Sequence, residues 1–173
     1  NPQVKIVFTG TRGQYGPSTK LPVSETAPTH PRGIYEISNL TAEKIIQSYN
    51  DVHNIQGVML RLTNIYGYRS QMKTSRYGVV NWFVRLGMDG EVIPVFGDGK
   101  IKRDFLFIDD CVEAILLCGM DESTVGEVIN IGHDQPQNFL QIAETLKEID
   151  PSVRWEFVPF SPERKAQEPG DFY

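Results

Sequence analysis

Short apolar runs rich in β-branched residues alternate along this chain with stretches whose apolar residues recur at helical spacing. VKIVFT at 4–9 and GVMLRL at 57–62 enclose such a helical stretch, from Tyr35 to Val52. Parallel strands need a crossover connection, so this alternation predicts an α/β chain with mostly parallel pairing in its first part. Strands are expected at 4–9, 57–62, 91–96, 103–108, 126–132 and 153–158, and helices at 35–52, 77–89, 109–120 and 138–149.

Composition excludes several classes of protein. The 173 residues are 40% hydrophobic, which is enough to build a core, and 17 Lys and Arg against 22 Asp and Glu give a net charge of -5. An acidic chain lacks the basic footprint of a nucleic-acid binder, and no apolar run approaches the roughly 20 residues that span a bilayer. Cys111 and Cys118 suggest no disulfide framework, and His30, His53 and His133 lack the spacing of metal ligands. We therefore expect a cytoplasmic protein without a metal, a nucleic-acid partner or a membrane partner.

Three glycines follow the first strand at a spacing that resembles a dinucleotide-binding turn. Gly10, Gly13 and Gly16 suit a close approach of the backbone to a pyrophosphate, but only if a helix begins directly after them. Pro17 follows instead, with three further prolines before residue 32, so no helix is expected there. We interpret 10–33 as a loop, and GDGK at 97–100 as a turn rather than a phosphate-binding loop.

Five motifs occur in a fixed order along the chain: T-x-x-x-Y-G from Thr11, a Tyr that opens a helix at Tyr35, LRLTNIYG at 60–67, GDGKIKRDFLFID at 97–109 and INIG at 129–132. In this order and spacing, the chain resembles the C-terminal half of the extended short-chain dehydrogenase/reductases, the NAD-dependent sugar-nucleotide epimerase/dehydratase family. The family's glycine fingerprint lies upstream of this region, and both edges of the chain look cut from something longer. We therefore expect a piece of a longer protein.

The resemblance implies a fold and a domain organisation. The fold is α/β, with the second half of a Rossmann-type parallel sheet plus a small α/β substrate-binding subdomain. Residues 1–75 correspond to the C-terminal part of the NAD-binding domain. Residues 76–173 correspond mainly to the nucleotide-sugar-binding subdomain, with 103–120 returning to the Rossmann sheet.

The resemblance also assigns the chemistry. In the family, a Tyr phenolate removes a proton from a sugar hydroxyl while the sugar carbon gives hydride to NAD. Tyr35 matches this Tyr, and Thr11 matches the Ser or Thr that bonds the same sugar oxygen. Asn39 stands one helical turn after Tyr35, where the family has a Lys, and carries no charge to favour the phenolate. The match places Tyr35, Asn39 and Thr63 at the cofactor.

The residues after Thr11 favour one branch of the family. Dehydratases have Asp and Glu there, and decarboxylases have a Glu at the second position, whereas this chain has Arg12 and Gly13. A guanidinium and a hydrogen cannot replace a pair of carboxylates. Oxidation and reduction at a sugar carbon, as in epimerisation, needs neither acid. The resemblance therefore implies an epimerase rather than a dehydratase or decarboxylase.

Four further residues match positions that bind the nucleotide sugar. Asn64 and Arg103 match residues at the diphosphate, and a guanidinium suits that task. Pro94 and His133 lie where the family lines the nucleotide pocket. A further pocket Arg often precedes Pro-Gly-Asp in the family, but here Glu168 does, which weakens diphosphate binding unless Arg164 or Lys165 substitutes.

These departures favour a second function. Asn39 and Glu168 favour a catalytically weakened or inactive family member that binds a nucleotide sugar and acts as a regulatory protein.

Helix 35–52 has more apolar residues than one packing face requires. Since the family pairs this helix across a dimer axis, a homodimer is expected, although a core-facing stripe accounts for the same pattern.

Overall fold

The structure, a computed structural model, describes residues 4–18, 20–74, 78–162, 165, 168 and 170–173. Short 3-10 helices occur at Arg12–Tyr15 and Glu122–Thr124. In chain order the other elements are β1 (Lys5–Thr11), α1 (Ile34–His53), β2 (Gln56–Leu62), β3 (Asn64–Tyr66), α2 (Val79–Met88), β4 (Val92–Phe96), β5 (Lys102–Arg103), β6 (Phe105–Phe107), α3 (Ile108–Met120), β7 (Val128–Ile131), β8 (Gln137–Asn138), α4 (Phe139–Ile149) and β9 (Arg154–Val158). They form two compact units, a first unit of Asn1–Thr63 with Ile108–Gly132 and a second unit of Asn64–Phe107 with His133–Tyr173.

The first unit is built on a parallel sheet with the strand order β1–β2–β7. β1 and β2 pair along their whole length, from Lys5 opposite Gln56 to Thr11 opposite Leu62. β2 pairs with β7 as far as Leu62 opposite Ile131. The three strands therefore end side by side at one edge of the sheet. The predicted α/β fold with parallel strands is confirmed.

β2 is the central strand of this sheet and is buried on both faces. Val58, Met59 and Leu60 are 0% exposed, which explains the continuous apolar run in the sequence. Val58 and Leu60 pack with Cys118 of α3 to form the core of the first unit. Cys111 and Cys118 are buried free thiols, and burial raises the pKa of Cys111. Partly buried residues that pack against this core are Val7, Leu62, Ile115, Ile129 and Ile131.

α1 connects β1 to β2 and agrees with the predicted helix to within one residue at each end. Gly33 precedes its first turn in an extended conformation, and the Ile37 N–H donates to the Gly33 carbonyl at 3.0 Å. At the other end Asn54 adopts the left-handed conformation, with φ 54°, and its N–H donates to the Tyr49 carbonyl. The Ile55 N–H donates to the same carbonyl at 3.3 Å, so the residues that follow the helix close its last turn.

The loop predicted at 10–33 contains the 3-10 helix Arg12–Tyr15 directly after β1. From Gly16 to Gly33 the described residues form turns, bends and irregular backbone. Within the described residues, no α-helix follows Gly16 until α1 begins at Ile34. The helix that a dinucleotide-binding turn requires is therefore not at this position, in agreement with the loop interpretation.

The second unit has its main core around β4 and β9, which pair in parallel. α2 and α4 pack on β4. α4 begins with a capping box, in which Asn138 and Gln141 each accept a hydrogen bond from the other's backbone N–H. The buried core residues are Phe83, Leu86, Ile93, Val95, Ala143 and Val153.

The remaining strands of the second unit are short. The single strand predicted at 103–108 divides at Asp104, because β5 pairs antiparallel with β8 and β6 pairs parallel with β3. β3 lies outside the strands that the sequence predicts. Gly97 and Gly99 have φ values of 65° and 70°, as the predicted turn at 97–100 requires. The helix predicted at 77–89 is α2, and Tyr77 lies outside the described residues.

Candidate active site

Thr11 and Thr63 lie at the carboxyl edge of the parallel sheet. Thr11 ends β1 and pairs with Leu62, which ends β2. Thr63 follows, and its N–H donates to the carbonyl of Ile131, at the end of β7, at 3.0 Å. Open α/β sheets bind their ligands outside the carboxyl ends of the strands. Both threonines are therefore at the edge where this fold binds ligands.

Thr11 also opens the 3-10 helix Arg12–Tyr15. Its Oγ1 accepts a hydrogen bond from the Gly13 N–H at 3.2 Å, and its own N–H donates to Gln14 Oε1 at 2.9 Å. Together these bonds form a capping box, which holds the Thr11 side chain in place. A hydroxyl that accepts one bond still has a proton to donate, so Thr11 can donate to a ligand oxygen.

Tyr35 lies in the first turn of α1, and its side chain is 65% exposed. The next residue, Glu36, fills the space beside Gly13, where an added Cβ would lie 2.6 Å from Glu36 Cγ. The start of α1 therefore packs against the segment that Thr11 opens. This contact places the elements that carry Tyr35 and Thr11 against each other at the carboxyl end of β1.

Asn39 lies one turn after Tyr35 and bonds to the helix backbone. Its Nδ2 donates to the Tyr35 carbonyl oxygen at 2.8 Å. Ser38 and Thr41 donate to carbonyls four residues back in the same way. The amide of Asn39 thus stabilises the helical turn that carries Tyr35, but it supplies no charge beside the phenol.

A buried polar network that we did not predict from the sequence joins α1 to β2. Arg61 of β2 donates from Nε to Glu43 Oε2 at 2.9 Å and from Nη2 to Glu43 Oε1 at 2.6 Å. The side chains of Arg61 and Glu43 are only 4% and 1% exposed. Gln14 donates to Glu43 Oε2 at 2.7 Å, so the 3-10 helix that Thr11 opens is tied to the same pair. We call Gln14, Glu43 and Arg61 the buried network.

Tyr15 extends this network towards β7. The Arg61 guanidinium lies 4.5 Å from the centre of the Tyr15 ring, and the Tyr15 hydroxyl donates to Asn130 Oδ1 at 2.6 Å. Burial raises the pKa of Tyr15 above its usual value of 10.0, although Arg61 opposes the shift. The network therefore fixes the residues that follow Thr11 relative to α1, β2 and β7.

In the second unit, Asn64 and His133 meet at Asp104, the residue next to Arg103. Asn64 Nδ2 donates to the Asp104 carbonyl at 2.9 Å. The His133 N–H donates to the two carboxylate oxygens of Asp104 at 2.9 and 3.0 Å. Pro94 lies in β4, which pairs with β9 and so belongs to a different sheet. The structure therefore connects the Asn64 side chain and the His133 backbone to Asp104, the residue that follows Arg103.

Arg103 is buried, 5% exposed, and has three protein acceptors among the described residues. Its Nη1 donates to the carbonyls of Lys102 at 2.8 Å and Gly170 at 2.5 Å. Its Nη2 forms an ion pair with Glu168, which stands where the resemblance predicts a second pocket Arg. Lys165 is exposed, and Arg164 and Pro169 lie outside the described residues. The predicted phosphate-binding Arg is thus paired with a carboxylate of the chain itself.

Within the described ranges, no group of three or more His, Cys, Asp or Glu side chains is placed to hold a metal ion. None of the helices in the part of the chain that the structure describes is long and apolar enough to cross a membrane.

The parallel sheet, with polar residues at its carboxyl edge, defines a Rossmann-type α/β protein. The chain belongs to the NAD-dependent epimerase/dehydratase family, whose model matches residues 1–132. The predicted family is therefore confirmed.

Two curated relatives are similar to this chain. One is a putative UDP-glucose 4-epimerase of Methanocaldococcus jannaschii, 32% identical over 144 residues, which are 83% of this chain and 46% of the relative. Another is a UDP-N-acetyl-alpha-D-glucosaminuronate decarboxylase of Bacillus cytotoxicus, 32% identical over 152 residues, which are 84% of this chain and 46% of the relative. The chain thus spans about half the length of the curated relatives it matches.

A solved structure agrees with this result. The UDP-glucuronic acid 4-epimerase from Bacillus cereus, in complex with UDP-glucuronic acid and NAD, superposes with a TM-score of 0.83 at 26% identity. The match covers 99% of this chain and 54% of that one. Both the epimerase and the decarboxylase reactions are therefore represented among the relatives.

Proposed function

We propose that the complete protein is an NAD-dependent nucleotide-sugar epimerase-type oxidoreductase, which oxidises and then reduces one carbon of the sugar. The observation that carries this proposal is the contact between the start of α1, with its exposed Tyr35, and the segment that Thr11 opens. Both residues match the catalytic positions of the family. A solved relative with bound UDP-glucuronic acid and NAD supports the cofactor and the class of substrate.

Tyr35 is the acid/base in this proposal. Its exposed phenol removes the proton of a sugar hydroxyl and returns it when the carbon is reduced, so the proton is conserved over the cycle. Thr11 donates a hydrogen bond to the same sugar oxygen and so orients it. NAD, when bound, supplies the acceptor and donor of the hydride.

Thr63 and Asn39, together with Tyr35, are the residues that we assign to contacts with NAD. Thr63 lies at the carboxyl end of β2, next to the end of β7, where open α/β sheets bind nucleotides. Asn39 is partly exposed one turn after Tyr35, and an amide can bond a ribose hydroxyl. These polar groups at the sheet edge fit the ribose end of the cofactor.

We favour epimerisation over dehydration or decarboxylation because the acids of those reactions are missing after Thr11. Arg12 and Gly13 occupy the two positions. In addition, Glu36 fills the space beside Gly13, so a Glu side chain at position 13 would displace it. Oxidation and reduction of one carbon by Tyr35 need no further carboxylate.

Arg103, Asn64, His133 and Pro94 are assigned to the nucleotide sugar. The guanidinium of Arg103 suits a phosphate, and Asn64 and His133 meet at the neighbouring Asp104. Pro94 is assigned by its match to the family alone.

A second function is favoured by Asn39. Because its amide is bonded to the Tyr35 carbonyl and carries no charge, α1 offers no cation one turn after Tyr35. A catalytically weakened or inactive protein that binds a nucleotide sugar as a regulator fits this feature. The two functions share the ligand and differ in turnover.

The test is an assay of the complete protein with NAD and a panel of UDP- and dTDP-sugars. The epimerase proposal predicts turnover that Tyr35→Phe lowers by about a hundredfold or more, with substrate affinity unchanged. Tyr49→Phe is the matched control, because Tyr49 is also exposed on α1. Binding without turnover would establish the second function, and no binding of any nucleotide sugar would exclude both.

We also propose that the protein is a homodimer that pairs through α1 and that it is cytoplasmic. Exposed apolar side chains on α1 support the dimer: Ile34, Ile37, Ile45, Tyr49 and Val52. The cytoplasmic location stays a prediction from the sequence.

A further inference from the structure

We propose that Glu168 is an internal competitor for the phosphate site of Arg103, so that a nucleoside diphosphate binds there only by displacing the Glu168 carboxylate. The inference rests on the proposed function, in which Arg103 binds the diphosphate of a nucleotide sugar. Beyond that function, it assigns Glu168 a role in setting the affinity for the nucleotide sugar. The contacts around Arg103 carry the argument.

The two terminal nitrogens of the Arg103 guanidinium have different partners: Nη1 bonds to backbone carbonyls, and Nη2 bonds to a carboxylate. Both Nη1 donors are used by the carbonyls of Lys102 and Gly170. These acceptors are backbone groups and carry no net charge, so they orient the guanidinium without neutralising it. Nη2 donates to Glu168, which is therefore the charged partner of a buried cation.

A carboxylate and a phosphate compete for the same geometry on a guanidinium. Both accept paired N–H donors through oxygens of similar spacing, and both are preferred partners of Arg. The Glu168 side chain is 20% exposed, whereas Arg103 is 5% exposed, so solvent reaches the carboxylate side of the pair. An incoming phosphate therefore meets the pair at Glu168.

The charge around Arg103 makes simultaneous binding unfavourable. Glu168 already places one negative charge on the guanidinium. A diphosphate placed beside the pair therefore meets a like charge at Glu168. Release of Glu168 into solvent removes this charge and frees Nη2 for the phosphate.

The segment that carries Glu168 has anchors of its own. The Phe172 N–H donates to the Lys102 carbonyl at 3.1 Å, and the Lys102 N–H donates to Asp171 Oδ1 at 2.9 Å. Phe172 is 3% exposed and forms a parallel bridge with Arg103. The segment thus stays attached to β5 when the carboxylate of Glu168 is removed. Glu168→Gln therefore changes the charge and leaves these contacts intact.

The experiment is a calorimetric titration of UDP into the complete protein and three variants. We expect Glu168→Gln to bind UDP about tenfold more tightly than the unchanged protein, the effect of one charge-assisted interaction. Glu148→Gln is the matched control, since it removes the same charge from an exposed position on α4 and should leave affinity unchanged. Arg103→Gln should weaken binding, because it removes the cation that the phosphate contacts.

The outcomes separate this inference from the proposed function. Tighter binding by Glu168→Gln, and not by Glu148→Gln, supports the competitor role. If Glu168→Gln binds equally or more weakly while Arg103→Gln loses affinity, the diphosphate site stands and Glu168 only supports the fold. If UDP binds none of the proteins, or if Arg103→Gln has no effect, the substrate site of the proposed function fails as well. If the Gln variant is unstable, Glu168→Ala repeats the titration, and its melting temperature shows whether it is folded.

Discussion

In the proposed function, Asn39 stands one helical turn after the acid/base Tyr35, where the resemblance predicts a Lys that favours the phenolate. Its amide donates to the Tyr35 carbonyl instead, so the first turns of α1 are held by side-chain bonds to the backbone. A neutral side chain that is already bonded to the helix does little to stabilise a negative phenolate. In the proposed enzyme, proton removal by Tyr35 is therefore weakly assisted.

Restoring the charge tests this argument. Asn39→Lys should raise kcat/KM of the complete protein about tenfold or more and move its pH profile to lower pH, because a cation close to the phenol favours its ionised form. Thr145→Lys adds the same charge at an exposed position on α4 and should change neither. Steady-state rates from pH 6 to 10 provide the measurement. Activity in the Lys variant alone would identify the native protein as the regulatory alternative.

Tyr15 gives a second prediction, about stability and pH. Its pKa is raised by burial, so ionisation of its phenol favours the unfolded chain, in which the pKa is about 10.0. The contribution of the neutral Tyr15 phenol to the unfolding free energy is complete well below pH 10. It is lost as the pH rises above 10. Compared with Tyr15→Phe, the unchanged protein should lose about 1 kcal/mol of unfolding free energy per pH unit above 10. Urea unfolding at pH 8, 10 and 10.5 measures this difference, and a constant difference at all three would contradict the argument.

Among the elements of the first unit, the buried network determines how the 3-10 helix, α1 and β2 fit together. Arg61 and Glu43 are an almost fully buried pair, and Gln14 adds the residues after Thr11 to it. Removing one partner leaves the other charge buried without compensation, whereas removing both does not. The network is therefore expected to be strongly coupled.

A double-mutant cycle tests the coupling. Glu43→Met and Arg61→Met should each lower the unfolding free energy by about 3–5 kcal/mol, and the double variant should lose much less than their sum. The exposed pair of Arg85 and Asp89 on α2 is the control, and Asp89→Asn should cost at most about 0.5 kcal/mol. Urea denaturation supplies all these values. Additive losses would show that the two side chains do not act as a pair.

The elements that the sequence predicts well are those with long local patterns. β2 is a continuous apolar run and α1 a long periodic segment, and both have the expected limits to within one residue. β3 and β8 cannot be predicted in this way, because a strand of two or three residues has too short a local pattern. These strands form through pairing with β6 and β5. The same long-range pairing divides the predicted strand 103–108 at Asp104.

The candidate site shows a similar division. The family motifs predict Thr11, Tyr35 and Arg103 as site residues. The ion pair between Arg103 and Glu168 joins residues 65 positions apart and has no local signature. The buried network did have a signal. Arg61 interrupts an otherwise apolar, buried strand, and a charge in such a strand requires a partner. The identity of that partner, Glu43, depends on how α1 packs against the sheet.

At the scale of the whole molecule, two helices of the first unit present apolar side chains to solvent. On α1, Ile45, Tyr49 and Val52 are exposed at positions i, i+4 and i+7, which lie on one face of a helix. On α3, Val112 and Leu116 are exposed in the same way. Exposed apolar faces of this kind are covered by another part of the protein or by a partner.

The proposed dimer assigns the α1 face to a second copy of the protein. Ile45→Glu combined with Val52→Glu puts charges on that face, which is incompatible with burial in an interface, and should convert a dimer of the complete protein into a monomer. Leu116→Glu on α3 is the matched control and should leave the dimer intact. Sedimentation equilibrium gives the masses. A dimer that survives the α1 substitutions but dissociates with Leu116→Glu would transfer the interface to α3, and a monomeric parent protein would exclude the dimer altogether.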